Sequence, residues 1–148
     1  MSLPVLQSGL FASPGAAEVF LLGRLLFGGV VAFMGFNHFV NLGDMTGYAE
    51  MKGLPAPGFA VVASGVMLVL GGLSIITGAF VVLGAGAVAL FLLVSAVTMH
   101  DFWTVDDPQQ QQTEMTQFLK NLVMAGASLG FLALASAQWQ YAVGVGIY

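Results

Sequence analysis

The chain has 148 residues, of which 58% are hydrophobic and 7% charged, with a net charge of −4 and no cysteine. A water-soluble domain carries roughly 25% charged residues, so this composition cannot clothe a soluble surface. The lack of cysteine excludes disulfide exchange, iron–sulfur clusters, thiolate metal sites and c-type haem attachment by this chain. The acidic balance leaves no basic surface for nucleic acid.

Residues 1–16 hold Pro4, Ser8, Gly9, Ser13, Pro14 and Gly15 and are expected to form a loose tail, with 17–148 as one domain. Four apolar runs follow, 17–40, 58–77, 79–99 and 118–137. Each approaches the roughly 20 residues that a helix needs to cross a hydrocarbon core of about 30 Å. The ten-residue alternation of a membrane barrel is absent. No Lys or Arg precedes the first run, which is expected to be retained rather than cleaved as a signal peptide. The expected fold class is all-α, an integral membrane four-helix bundle with up-down-up-down topology. Asp107 followed by Pro108 pairs an N-cap acid with a proline suited to the first helical position, so the last helix is expected at 108–137.

In the first run, Arg24, Gly28, Val31, Gly35 and His38 follow helical spacing and share one face, which should look into the bundle. An ionised Arg24 costs at least about 2.5 kcal/mol at mid-bilayer and therefore needs partners. Backbone carbonyls or headgroups would satisfy it, and so would an anionic or quinone-like ligand; Glu18 is six residues away and reaches it only through a bend. In the connection that follows, Asp44 is expected to cap a short interfacial helix ended by Gly53, before Leu54-Pro55-Ala56-Pro57 fixes an extended lead into the second span. Thr77-Gly78 marks a tight hairpin with little room for a site. The third span ends at His100-Asp101, ahead of Phe102-Trp103. Gln109 to Gln112 reads as a solvated helical turn. Lys120 and Asn121 lie about 100° apart around the last helix, so one of the two at most faces the axis. Gly28, Gly35, Gly71, Gly72, Gly84 and Gly86, with Gly126 and Gly130 at GxxxG spacing, are expected to let helices approach closely.

Apart from Glu18 and Arg24, every charged residue and both histidines fall within 38–52 and 100–120. In an up-down bundle the two connections holding them leave the same membrane face, so they should meet. His38, His100, Trp103, Lys120 and Asn121 then form a collar at the bundle mouth. Axial ligation of a haem by the two histidines would place them opposite each other well inside the bundle, which helix-end positions oppose. A metal site of His38, His100 and Asp101 has suitable ligand types but no supporting spacing such as HxxxH. A quinone or similar lipid headgroup needs hydrogen-bonding groups near the interface and aromatic walls, which these residues supply. A collar that merely closes the bundle is the structural alternative.

Gly23-Arg24-Leu25-Leu26-Phe27-Gly28 with Gly35 downstream, Thr98-Met99-His100-Asp101-Phe102-Trp103, and Phe118-Leu119-Lys120-Asn121-Leu122 before Gly126 resemble the DoxX family of small four-helix membrane proteins. The resemblance implies a relation to subunits of a thiosulfate:quinone oxidoreductase, with Arg24, His100, Lys120 and Asn121 at the family's polar positions. Relatives often carry a Glu early in the second helix, whereas Ala60 to Ser64 offers no acid. The leading expectation is a multi-pass cell-membrane subunit that binds quinone, or docks a soluble or membrane redox partner. No electron carrier is evident in the chain. A non-enzymatic scaffold, packing through glycine-rich faces with itself as a homo-oligomer or with partner helices, is the alternative. Lys52 and Lys120 beside the polar connections, against Arg24 near the termini, favour cytoplasmic connections. The acidic loops match those of a high-salt prokaryote.

Overall fold

The computed structural model describes residues 9–147. Among them the chain is all-helical: α1 Ala16–Val40, α2 Leu42–Met51, α3 Pro57–Thr77, α4 Val81–Met99, a 3-10 turn Phe102–Thr104, and α5 Pro108–Ala133. Three segments are long and apolar enough to cross a membrane, Ala16–Val40, Pro57–Thr77 and Val81–Thr104. α5 is not among them, because Gln117, Lys120 and Asn121 interrupt even the more apolar part that follows its polar N-terminal turns.

The four expected helices become five because the first connection folds as α2. Its start differs from expectation: Asn41, not Asp44, sits at the cap, without a side-chain cap bond. Asn41 instead donates to the Asn37 side chain at 2.6 Å. Its end is as expected, with Gly53 at φ 75° and the Leu54 amide donating to the Ala49 carbonyl at 3.1 Å, a turn that closes the last carbonyls of the helix. Of the expected tail, residues 1–8 lie outside the described residues, while 9–15 turn back so that the Phe11 ring packs 4.8 Å from Phe20.

α1 and α3 run antiparallel in close contact, and glycine sets their separation. A Cβ at Gly28 would stand 2.6 Å from the Gly72 carbonyl oxygen, and one at Gly35 would stand 2.7 Å from that of Gly65. Gly71 and Gly84 play the same part between α3 and α4, against Val88 and Ser74. Gly126 and Gly130 do not: nothing lies within 4 Å of either position, so the GxxxG pair faces outward. The core gathers Val31, Leu68, Val88, Leu92 and Ala125, from α1, α3, α4 and α5. Phe33, Phe36, Leu70, Leu90 and Val123 point outward from the same helices, the apolar exterior expected of a bundle solvated by lipid.

Arg24 is fully buried at the hairpin end of α1 and is satisfied by main chain alone. Its Nε donates to the Ile75 carbonyl at 3.1 Å, Nη1 to Gln140 at 2.9 Å, and Nη2 to Ile76 at 2.6 Å and Tyr141 at 3.1 Å. The guanidinium also lies 5.2 Å from the Trp139 ring. Glu18 takes no part, accepting instead from the Tyr141 hydroxyl at 3.0 Å. The two C-terminal carbonyls reach Arg24 because α5 stops at Ala133 rather than 137. The chain then folds back along the hairpin, where Val143 donates to Thr77 at 2.8 Å and Phe80 to Val145 at 2.6 Å.

Gly28→Val should lower stability by about 1–3 kcal/mol, because the added carbons meet backbone rather than a movable side chain. Gly126→Val should melt like the parent, and thermal unfolding in detergent compares the two. Arg24→Leu strips the donors from four carbonyls and should cost about 3 kcal/mol or more in the same assay.

Candidate functional site

At the opposite end of α1 the two charged stretches do meet. Lys52, just past α2, forms an ion pair with Asp101, just past α4. One turn earlier on α2, the Tyr48 hydroxyl reaches both the Met99 carbonyl at 2.9 Å and Glu114 Oε1 at 2.8 Å. The other carboxylate oxygen, Oε2, lies 2.8 Å from His100 Nδ1. Glu114 is thus the junction of α2, α4 and α5, and it is 8% exposed.

Burial alone would push the Glu114 carboxyl up, but the hydrogen bonds from His100 and Tyr48, with the charges of His100 and Lys52, outweigh it. They hold the carboxyl below its usual value. Burial first, and then the bond to Glu114 and its charge, push the Tyr48 phenol well above its ordinary range.

Behind this junction lies a cavity of about 350 Å³ lined by His38, Tyr48, Ser64, His100, Lys120 and Asn121, with a largely apolar remainder that includes Met34, Phe91 and Met99. His38 Nδ1 lies 3.2 Å from the Val61 carbonyl and 2.9 Å from Ser64 Oγ, which itself donates to Val61 at 3.0 Å. The imidazole stands edge-on to the Phe91 ring with centroids 6.0 Å apart. Asn121 is buried and donates to Ser95 at 3.3 Å, whereas Lys120, one residue earlier, is exposed at the rim.

Of the six residues singled out from sequence, His38, His100, Lys120 and Asn121 share this cavity. Trp103 does not: it is 53% exposed and packs edge-on against Phe102 and Phe118, because the 3-10 turn carries it outside the helix mouth. Arg24 is at the far end, saturated with carbonyls. Sequence reasoning missed Glu114 and Tyr48. The signal for Glu114 was present, since Glu114, Asn121, Ala125 and Ser128 form the buried face of α5 and Glu114 lies two turns before Asn121. The hairpin end also differs from expectation, as the returning C-terminal segment creates a larger cleft there, about 740 Å³, walled mostly by 135–144.

The sequence model of the DoxX family matches residues 19–101, more than half of the chain. The chain belongs to the DoxX family. The match covers α1 to α4 and ends beside His100, so the contribution of α5 to the cavity lies beyond it. No curated protein and no solved structure matches this DoxX chain.

Because the Glu114 carboxyl is held below its unfolded value, the ionised form stabilises the fold at neutral pH. That contribution is lost as pH falls from about 4.5, the value of the free side chain, through the lower folded one. Glu114→Gln should therefore melt below wild type at neutral pH, with a gap that narrows in acid. A gap independent of pH would remove the ionised carboxylate from the account.

Proposed function

We propose that this DoxX-family protein is a four-span membrane protein, with the apolar part of α5 as the fourth span of an up-down-up-down bundle, and that its polar end binds the ring headgroup of a quinone-like lipid. The observation that carries the reading is the cavity into which α1, α4 and α5 bring His38, His100, Lys120 and Asn121. Its volume of about 350 Å³ falls within the 300–1,000 Å³ usual for small-molecule sites. Mostly apolar walls with a few polar groups suit a flat ring carrying two polar oxygens and a hydrocarbon tail that stays in lipid.

Bound there, a quinone supplies a carrier of two electrons and two protons. The protein's own residues hold the ring by hydrogen bonds with Lys120 and the imidazoles, against a wall that includes Phe91. No electron carrier is evident in this chain, so the electrons come from a soluble or membrane redox partner or from a reducing substrate. The Lys52–Asp101 face is the side from which such a partner approaches.

Protein purified from its membrane in mild detergent should carry quinone, identified by mass spectrometry of the extracted lipids. Lys120→Ala should lower occupancy about fivefold, the effect of losing one hydrogen bond worth about 1 kcal/mol, and Ala60→Phe, which fills the cavity from α3, should lower it further by occupying the space. Unchanged occupancy in both variants would sink the pocket.

A further inference from the structure

Each cavity histidine has its Nδ1 committed to an acceptor. At His38 the acceptor is the Val61 carbonyl, which has no proton to give, so Nδ1 must carry the hydrogen. The assignment that leaves no two acceptors facing each other has the Nδ1 hydrogen shared between the Val61 carbonyl and Ser64 Oγ, with the Ser64 hydroxyl donating to Val61. At His100 the acceptor is Glu114 Oε2, and the carboxylate takes a second hydrogen bond from Tyr48 on its other oxygen. Held in its ionised form, Glu114 can only accept, so Nδ1 of His100 carries the hydrogen as well. A neutral imidazole has one N–H. While a ring is neutral its Nε2 is then a bare lone pair, and among the described residues neither Nε2 has a protein partner or is sealed from the space around it.

We infer that the cavity presents two hydrogen-bond acceptors, His38 Nε2 and His100 Nε2, and therefore selects the reduced, dihydroxy form of its ring ligand over the oxidised, dicarbonyl form. The inference rests on the quinone reading of the pocket and adds its redox preference. A hydroquinone offers two O–H donors to those lone pairs. A quinone offers only carbonyl oxygens, which face them acceptor to acceptor. Protonating the imidazoles converts both Nε2 atoms into donors and reverses the match. The other groups around the histidines are Asp44, Tyr48 and Lys52 from the α2 side, Asp101 after α4, and Glu114 and Lys120 on α5.

The consequence is directional. With both imidazoles neutral the pocket stabilises the product of quinone reduction, so it acts either as a donor site awaiting oxidation or as a holding site for the reduced carrier.

The test uses full-length protein in detergent with a short-tailed quinone and its hydroquinone, kept anaerobic. At about pH 8 the hydroquinone should bind roughly tenfold more tightly, and at a pH low enough to protonate the imidazoles the preference should vanish or invert. Nitrogen NMR of imidazole-labelled wild type at the higher pH should show both rings in the Nδ1–H form, a readout that needs no ligand and no variant. Glu114→Leu should free the His100 tautomer and reduce the preference. An Nε2–H tautomer at either histidine overturns the inference, as does equal affinity for the two redox forms at both pH values. If neither form binds, the quinone reading and the preference fall together. If both bind equally, only the preference falls.

Discussion

The contact between α1 and α3 organises the rest of the molecule. In a bilayer no water is present to satisfy an exposed amide or a stray charge, and apolar surface gains little from association, so helices hold together by close packing and by polar bonds that must be complete. Both are concentrated on one face of α1. Gly28 and Gly35 leave no room for a Cβ against α3, which brings the two backbones together over the middle of the pair. At the two ends of that face, Arg24 bonds the carbonyls of Ile75 and Ile76, and His38 bonds that of Val61. The glycines make these end contacts geometrically possible. A wider separation would leave the guanidinium and the imidazole short of their acceptors.

The same face shows why the two ends of the protein differ chemically. Arg24 spends four of its five N–H donors on carbonyls and lies against Trp139, which leaves it little to offer a ligand. Two of those carbonyls come from the C-terminal segment, which Arg24 ties across the α3–α4 hairpin. His38, with Nδ1 fixed, keeps a second nitrogen in reserve on the cavity wall. One end of α1 is a clamp and the other is the candidate site.

Much of this was legible in sequence because it depends on helical phase. The spacing of Arg24, Gly28, Val31, Gly35 and His38 gave the buried face of α1 directly, and counting spans brought the stretches around Lys52 and Asp101 together. What was not legible depends on how helix ends are carried. Trp103 looked like a cavity wall, but a three-residue 3-10 turn swings it outward, and no periodicity encodes that. The acceptors of Arg24 were hidden because they are main-chain atoms of Gln140 and Tyr141, more than 110 residues away in the chain, and a carbonyl has no sequence signature. Glu114 was readable from its phase with Asn121. It was overlooked because its polar neighbours Gln109 to Gln112 and Thr113 mark that stretch as solvated.

Glu114 also changes how the missing acid of the second helix is to be understood. Ala60 to Ser64 offers no carboxylate, and the cavity nevertheless has one, delivered by α5 and held between α2 and α4. Tyr48 and His100 satisfy one oxygen each of this carboxylate, and Lys52, paired with Asp101 next door, adds its charge. The arrangement ties three elements to one buried charge. It follows that removing Glu114 affects the position of α2 and the proton on His100 together, so the two consequences must be separated by a readout specific to the imidazole rather than by stability alone.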